Sequence, residues 1–422
     1  MKLRQHISDL ATFLTKKLQL DVRFYGRSFG LMSLGHTSAV IRGIATTFLM
    51  ARWLPRNTMG EFRYILALFG IASIFSLSGL NTSIIRGIAK GDTGIARAAL
   101  KLIFLISPLG SLGLALAAWE RWAHGETHVA TGLLIAGLIF PLYSVSGLYG
   151  AILTGKDEIR KLTKIAVANN VLFALLFFAV ILNTKELLPV LAAYFGFDIL
   201  IRGWITWREI RRLKPGGNSA EHLRLGKHLS AIGAFQAIAA QLDQVLIQRF
   251  FGYGSLANYS IATLIPEQIK DFINSISGIV LRRFSRHENT PQILQQTKRH
   301  FWTVTAGSGI LAAAYILVAP IVLPWFFPQY QNQVAPSMVY ALGLIAMSSM
   351  VGLNFMQANN QIRRLWIFYI ASAILQIGSN LALIPFFGGW GAILSKTGTR
   401  LINAVLSYPR VDKLGDQACD KA

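Results

Sequence analysis

Apolar runs of about 20 residues, separated by short polar or basic stretches, recur along the whole chain. A helix needs roughly 20 such residues to cross the hydrocarbon core of a bilayer. Twelve runs are long enough: 28–51, 62–85, 99–119, 129–153, 162–182, 187–206, 229–250, 256–280, 302–324, 336–357, 365–386 and 390–408. The pattern predicts an all-α polytopic membrane protein with twelve transmembrane helices. The first, second, seventh, eighth and twelfth runs are the least purely apolar, so these are expected to face something other than lipid. Ahead of them, Leu3, Ile7, Leu10, Leu14 and Leu18 recur at three- and four-residue steps, with Lys16 and Lys17 between. That spacing predicts an amphipathic segment, 1–26, lying on the cytoplasmic membrane surface rather than a cleaved signal.

Composition agrees. Of 422 residues, 53% are hydrophobic and 14% charged, with a mean hydropathy of +0.47, where a soluble domain carries about 25% charged residues. The formal charge of +22 would suggest nucleic acid in a soluble protein, but here the basic residues sit between apolar runs, as cytoplasmic loops should. Nucleic acid is therefore not an expected partner. Assigned to alternating sides, thirty Lys and Arg fall with the N-terminus and six on the opposite side. This predicts an even number of spans and both termini in the cytoplasm. The longest connection contains Pro215-Gly216-Gly217-Asn218-Ser219 and lies at mid-chain. It reads as a basic linker, 208–228, between six-helix bundles at 27–207 and 229–408, with a tail at 409–422. The single cysteine, Cys419, excludes an internal disulfide framework and a multi-cysteine metal site. The eight histidines are scattered and no phosphate-cradling P-loop is present. No catalytic residue, metal site or cofactor is expected.

A hairpin outline occurs twice. Arg52-Trp53-Leu54-Pro55 aligns with Arg249-Phe250-Phe251-Gly252, and with no gap Arg86 falls on Arg283. Further on, Lys156 to Leu162 aligns with Asn359 to Leu365. Two collinear matches favour parallel repeats around a cavity. A chance likeness between two membrane hairpins is the other reading.

Ionisable groups inside such spans are costly and mark sites by default. On the first span Gly35, Ser38, Arg42 and Thr46 share a stripe. On the sixth, Asp198 and Arg202 stand four apart with the acid first, the order of an intrahelical ion pair, which makes a structural role the plain expectation. The seventh span carries Asp243, and the eighth Glu267, Lys270 and Asp271. Lys270 can neutralise one of these acids but not all, so the cluster reads either as an ion-coupling or gating site or as a structural polar seam. On the twelfth, Lys396, Arg400, Asn403 and Ser407 form a stripe with no acid on the same helix. With Arg42, and with Lys270 nearby, they are candidates for a wall that binds an anionic headgroup. The competing reading has both cations snorkelling to the membrane surface.

The run Arg52-Trp53-Leu54-Pro55-Arg56-Asn57-Thr58-Met59-Gly60-Glu61-Phe62 resembles a hairpin of bacterial polysaccharide flippases. So do Ser78-Gly79-Leu80-Asn81 through Arg86, and Leu242-Asp243-Gln244-Val245-Leu246 with Gly252 and Asn258-Tyr259-Ser260. The chain is similar to the Wzx-like, O-antigen branch of the multidrug/oligosaccharidyl-lipid/polysaccharide exporter superfamily. That resemblance implies two pseudo-symmetric six-helix bundles around a central cavity in the bacterial inner membrane. It also implies alternating-access translocation of an undecaprenyl-diphosphate-linked oligosaccharide, with membrane lipids and other polysaccharide assembly proteins as further partners. Two rivals remain. A cation-coupled multidrug exporter of the same superfamily should show an acid-lined N-terminal half, where the only deeply placed acid is Asp198. A polytopic glycan polymerase or ligase generally needs a large external loop, and none is seen.

Overall fold

A computed structural model describes residues 22–213, 216–217, 219–284, 291–358 and 361–409. The expected surface segment at 1–26, apart from its last turn, and the tail from 410 onward lie outside the described residues. The helices are α1 (Val22–Trp53), α2 (Arg56–Ala72), α3 (Gly79–Ala89), α4 (Ile95–Ala123), α5 (Thr127–Ser146), α6 (Leu148–Gly155) and α7 (Ile159–Asn183). They continue with α8 (Leu187–Arg211), α9 (Ala220–Phe284), α10 (Pro291–Phe326), α11 (Val334–Ala341), α12 (Ser349–Ala358) and α13 (Ile362–Leu406). No strand occurs among the described residues.

Nine helical stretches among the described residues are long and apolar enough to cross a membrane. One of them, Ala220–Asn274, has 55 residues, so if straight it would run for ~80 Å, against a hydrocarbon core of about 30 Å. It does not run straight. Gly252, at φ 78° and ψ 178°, breaks α9 into two passes, and Gly388, at φ 56° and ψ −130°, does the same to α13. Only glycine adopts these angles at little cost. Counting those two stretches twice and adding α1 gives the twelve crossings of the sequence pattern.

Three of the expected spans are not single rods. The second is α2, a 3-10 turn at Ser73–Ser76, Leu77 in the left-handed region at φ 51°, then α3. Ser73 and Ser76 donate to the carbonyls of Gly70 and Ser73 at 2.6 Å, competing with the helix ladder. The fourth is α5 and α6, parted at Gly147, and the tenth is α11 and α12 with a 3-10 segment, Leu342–Ser348, between.

Rings and branched chains form the interior. Phe62, Phe140, Phe173, Phe177 and Phe195 are fully buried, as are Tyr330, Tyr340 and Ile393 further along. Leu105, Leu138, Ile321, Trp325 and Phe386 point outward and are 74–81% exposed. So many large apolar side chains on the outside, on helices long enough to cross a bilayer, fit a lipid-facing surface. Helix α9 approaches α2 and α3 to backbone distance, at the elbow after Gly252 and in its first pass. A Cβ on Gly60 would stand 2.0 Å from the Tyr253 carbonyl oxygen, and one on Gly79 would stand 2.4 Å from the Ser230 nitrogen. Small residues at helix contacts permit such approach in membranes.

Candidate functional site

Two clusters of charge lie inside the helical mass. In the first, α1 supplies Arg42, α7 supplies Asn169 and Asn170, and α8 supplies Asp198 and Arg202. Both terminal nitrogens of Arg42 donate to the two Asp198 oxygens at 3.0 Å, a bidentate pair. Asn169 adds a bond to Asp198 at 3.3 Å, and Asn170 accepts from Arg42 while donating to Ser38. The Arg42 guanidinium also stacks 3.8 Å from the Phe173 ring centre. Arg202 reaches the same carboxylate at 3.4 Å. Asp198 is 1% exposed, a burial that only such pairing permits. Two cations share one acid, so the cluster carries a net positive charge.

The second cluster joins both passes of α9 to the second pass of α13. Asp243, fully buried, pairs with Lys396 at 2.7 Å and accepts a hydrogen bond from the Tyr259 hydroxyl. Glu267 accepts from Arg400, Lys270 and the Tyr340 hydroxyl. Arg400 also donates to the Tyr340 oxygen at 3.0 Å and lies over that ring. Lys270 touches Asp271 at 3.7 Å. Three acids face three cations, so this cluster is neutral.

A third constellation closes the face where the odd-numbered spans end, opposite the basic loops. Arg56 donates to the Gln329 carbonyl at 2.7 Å and lies over Tyr330, whose hydroxyl meets the Met59 sulfur. The Tyr253 hydroxyl donates to Glu126, Arg249 faces Glu120 at 3.7 Å, and buried Arg121 bridges both glutamates at 3.4 Å. The Phe251 ring abuts Gly388. The two hairpins aligned in sequence also meet tip to tip, with Gly254 facing Asn57 and Arg56, and Gly60 against Tyr253.

The structure brings together all the candidates of the seventh, eighth and twelfth spans, but in a different relation from the one expected. Lys396 and Arg400 do not form a free wall opposite the acids; each is in direct contact with one. The missing acids come from α9, which a one-helix reading of α13 cannot show. Arg42 is not joined to them by any ion pair among the described residues, because Asp198 holds it. The Asp198–Arg202 pair exists, yet Arg42 is the closer partner and Arg202 the weaker. Sequence reading missed Asn169, Asn170, Tyr259 and Tyr340. Adjacent asparagines within the apolar run 162–182 were a usable signal, whereas tyrosines at these depths were not distinguishable from core aromatics.

Comparison with known proteins fits this architecture. Residues 25–288 match the family described as polysaccharide biosynthesis protein, more than half of the chain. No curated protein matches the chain. Among solved structures, the lipid II flippase MurJ in an inward closed conformation is similar, with a TM-score of 0.68 at 15% identity over 89% of this chain and 86% of that one. The outward-facing conformation of a multidrug resistance MATE family transporter of the MOP superfamily gives 0.66 at 13% identity, over 90% and 93%. An inward-facing conformation described in the same terms gives 0.61 at 12%, over 90% and 93%. Its twelve-helix fold is like that of these solved transporters, and the chain belongs to the polysaccharide biosynthesis protein family.

Proposed function

We propose that this protein is a flippase that carries an undecaprenyl-diphosphate-linked oligosaccharide across the bacterial inner membrane by alternating access, with no covalent step. The observation that carries this reading is the neighbouring pair Lys396 and Arg400, each held by a carboxylate from α9. Two cations matched by two acids would accept a diphosphate dianion in exchange, since both arrangements leave the site neutral. Arginine and lysine suit phosphoryl oxygens, the first by its fork and the second as a point charge. Asp243 and Glu267 therefore occupy the positions a headgroup would take against these cations, with Lys270 and Asp271 beside them. On substrate entry the displaced acids must find protons or other cations, which gives this group its coupling or gating role. The family match and the likeness to a lipid II flippase support a lipid-linked glycan as cargo. The excess of Lys and Arg on one side supports cytoplasmic N- and C-termini. Membrane lipids and other polysaccharide assembly proteins are the expected partners, and the two six-helix bundles at 27–207 and 229–408 are the rocking units.

Deleting the gene should make lipid-linked repeat units accumulate on the cytoplasmic leaflet, measured by protection from an externally added probe. Lys396→Ala together with Arg400→Ala should fail to restore export from a plasmid although the protein inserts. Normal flipping in the deletion strain would overturn the function. Full complementation by the double variant would overturn the site.

A further inference from the structure

The first charge cluster is unbalanced in a way the second is not. Asp198 accepts two bonds from Arg42 and one from Asn169, all shorter than its contact with Arg202, which stands at 3.4 Å. The Nε of Arg202 is buried and has no hydrogen-bond partner. Among the described residues no second carboxylate forms an ion pair with it. The Arg202 side chain is a quarter exposed, but a donor buried without a partner is costly, and a bound anion would satisfy it.

Arg202 also lines a cavity of about 140 Å³ between α2, α5 and α8. Around it stand Ser73, Ser76, Ser144 and Tyr143. The cavity exists because α2 unwinds at Ser73–Ser76, and mid-helix 3-10 stretches often mark functional positions. The three serines donate to carbonyls of their own helices, bonds that compete only weakly with a better partner. These residues are only partly buried, so the cavity can be reached. Its volume holds about four or five groups the size of water. That space is enough for a single phosphate group.

We infer that this cavity is a binding site for a small oxyanion of the phosphate class, held by Arg202 with the surrounding hydroxyls. It is separate from the Lys396–Arg400 pair and does not depend on the role proposed for that pair. The phosphoryl group could arrive as free inorganic phosphate or on a prenyl chain, and the test distinguishes the two.

The purified full chain in nanodiscs of zwitterionic lipid is titrated with inorganic phosphate at fixed ionic strength, against chloride as control. A parallel titration uses a short-chain prenyl phosphate, and the thermal unfolding midpoint is followed. The expected result is a saturable rise, since a ligand that binds only the folded state stabilises it. Arg202→Gln should raise the apparent dissociation constant at least tenfold. Because that change also touches Asp198, Tyr143→Phe combined with Ser144→Ala is the second probe, which leaves every ion pair in place and should weaken binding several-fold. A rise with both ligands assigns the site to free oxyanion, and a rise with the prenyl phosphate alone assigns it to a lipid-borne group. No rise with either ligand overturns the inference, as does a rise of the same affinity in both variants. Binding is read without any glycan, so failure here leaves the flippase reading untouched, and normal flipping in a deletion strain leaves this site untouched.

Discussion

Arg42, Asp243, Lys396 and Arg400 each have their meaning set by a partner on another helix or another pass. Asp243 is fully buried and is matched by Lys396 at 2.7 Å. Removing one partner of such a pair leaves a stranded charge, which costs about 3–5 kcal/mol, whereas replacing both by apolar or neutral groups is often nearly neutral. Lys396→Met alone should therefore lower the unfolding midpoint clearly, and Asp243→Asn combined with Lys396→Met should recover most of the loss. If the pair served stability alone, the double variant would also recover export; the expectation is that it does not. Thermal unfolding and glycan display measured on the same three proteins decide between these roles. The residues of this pair were legible in the sequence, because charge within an apolar run is conspicuous. Their pairing was not. A 100° period places Lys396 and Arg400 on one stripe of α13, but it is silent about which helix that stripe meets.

At the scale of elements, the sequence located twelve crossings, since apolar length is a local property, but did not single out the turn at Gly388 within the last helix. It presented the second crossing as one span, 62–85, whereas the chain unwinds at Ser73–Ser76 and turns through Leu77 before α3. The cause lies partly in serine hydroxyls that bond to their own helix and partly in a tertiary demand. The unwinding brings Gly79 against the backbone of Ser230, while Gly60 lies under the Tyr253 carbonyl. Both approaches leave no room for a side chain. Gly60→Ala would place its methyl 2.0 Å from that backbone oxygen, a distance no packing tolerates, so the hairpins must separate at that end. Spin labels at Arg52 and Phe250, both outside this contact, should then report a longer and broader distance distribution than in the parent protein. Gly113→Ala, where a Cβ meets nothing within 4 Å, should leave the distribution unchanged.

For the molecule as a whole, the structure is closed on the face away from the basic loops, and the closure has identifiable fasteners. Polar side chains fasten α4 and the α4–α5 turn to the α9 elbow through Tyr253–Glu126 and Arg249–Glu120, with Arg121 buried beneath both acids. Arg56 fastens the α1–α2 elbow to Gln329. In the proposed alternating-access cycle, these contacts would break each time the protein opens to this side, and their strength would set the balance between the two states. A hydrogen bond to a charged group contributes about 1.5–3 kcal/mol, and a shift of that size changes a two-state population by roughly 10- to 150-fold. Tyr253→Phe removes the hydroxyl while keeping the ring against Tyr64, so it should loosen this face without disturbing the fold. A cysteine introduced near the elbow, in a background lacking Cys419, should then react faster with a membrane-impermeant reagent added from that side. Arg56→Ala should act in the same direction, and the two changes together should add, because their contacts share no residue. If instead the introduced cysteine reacts at the parent rate in the double variant, the closed face is held by backbone packing at Gly60 and not by these side chains.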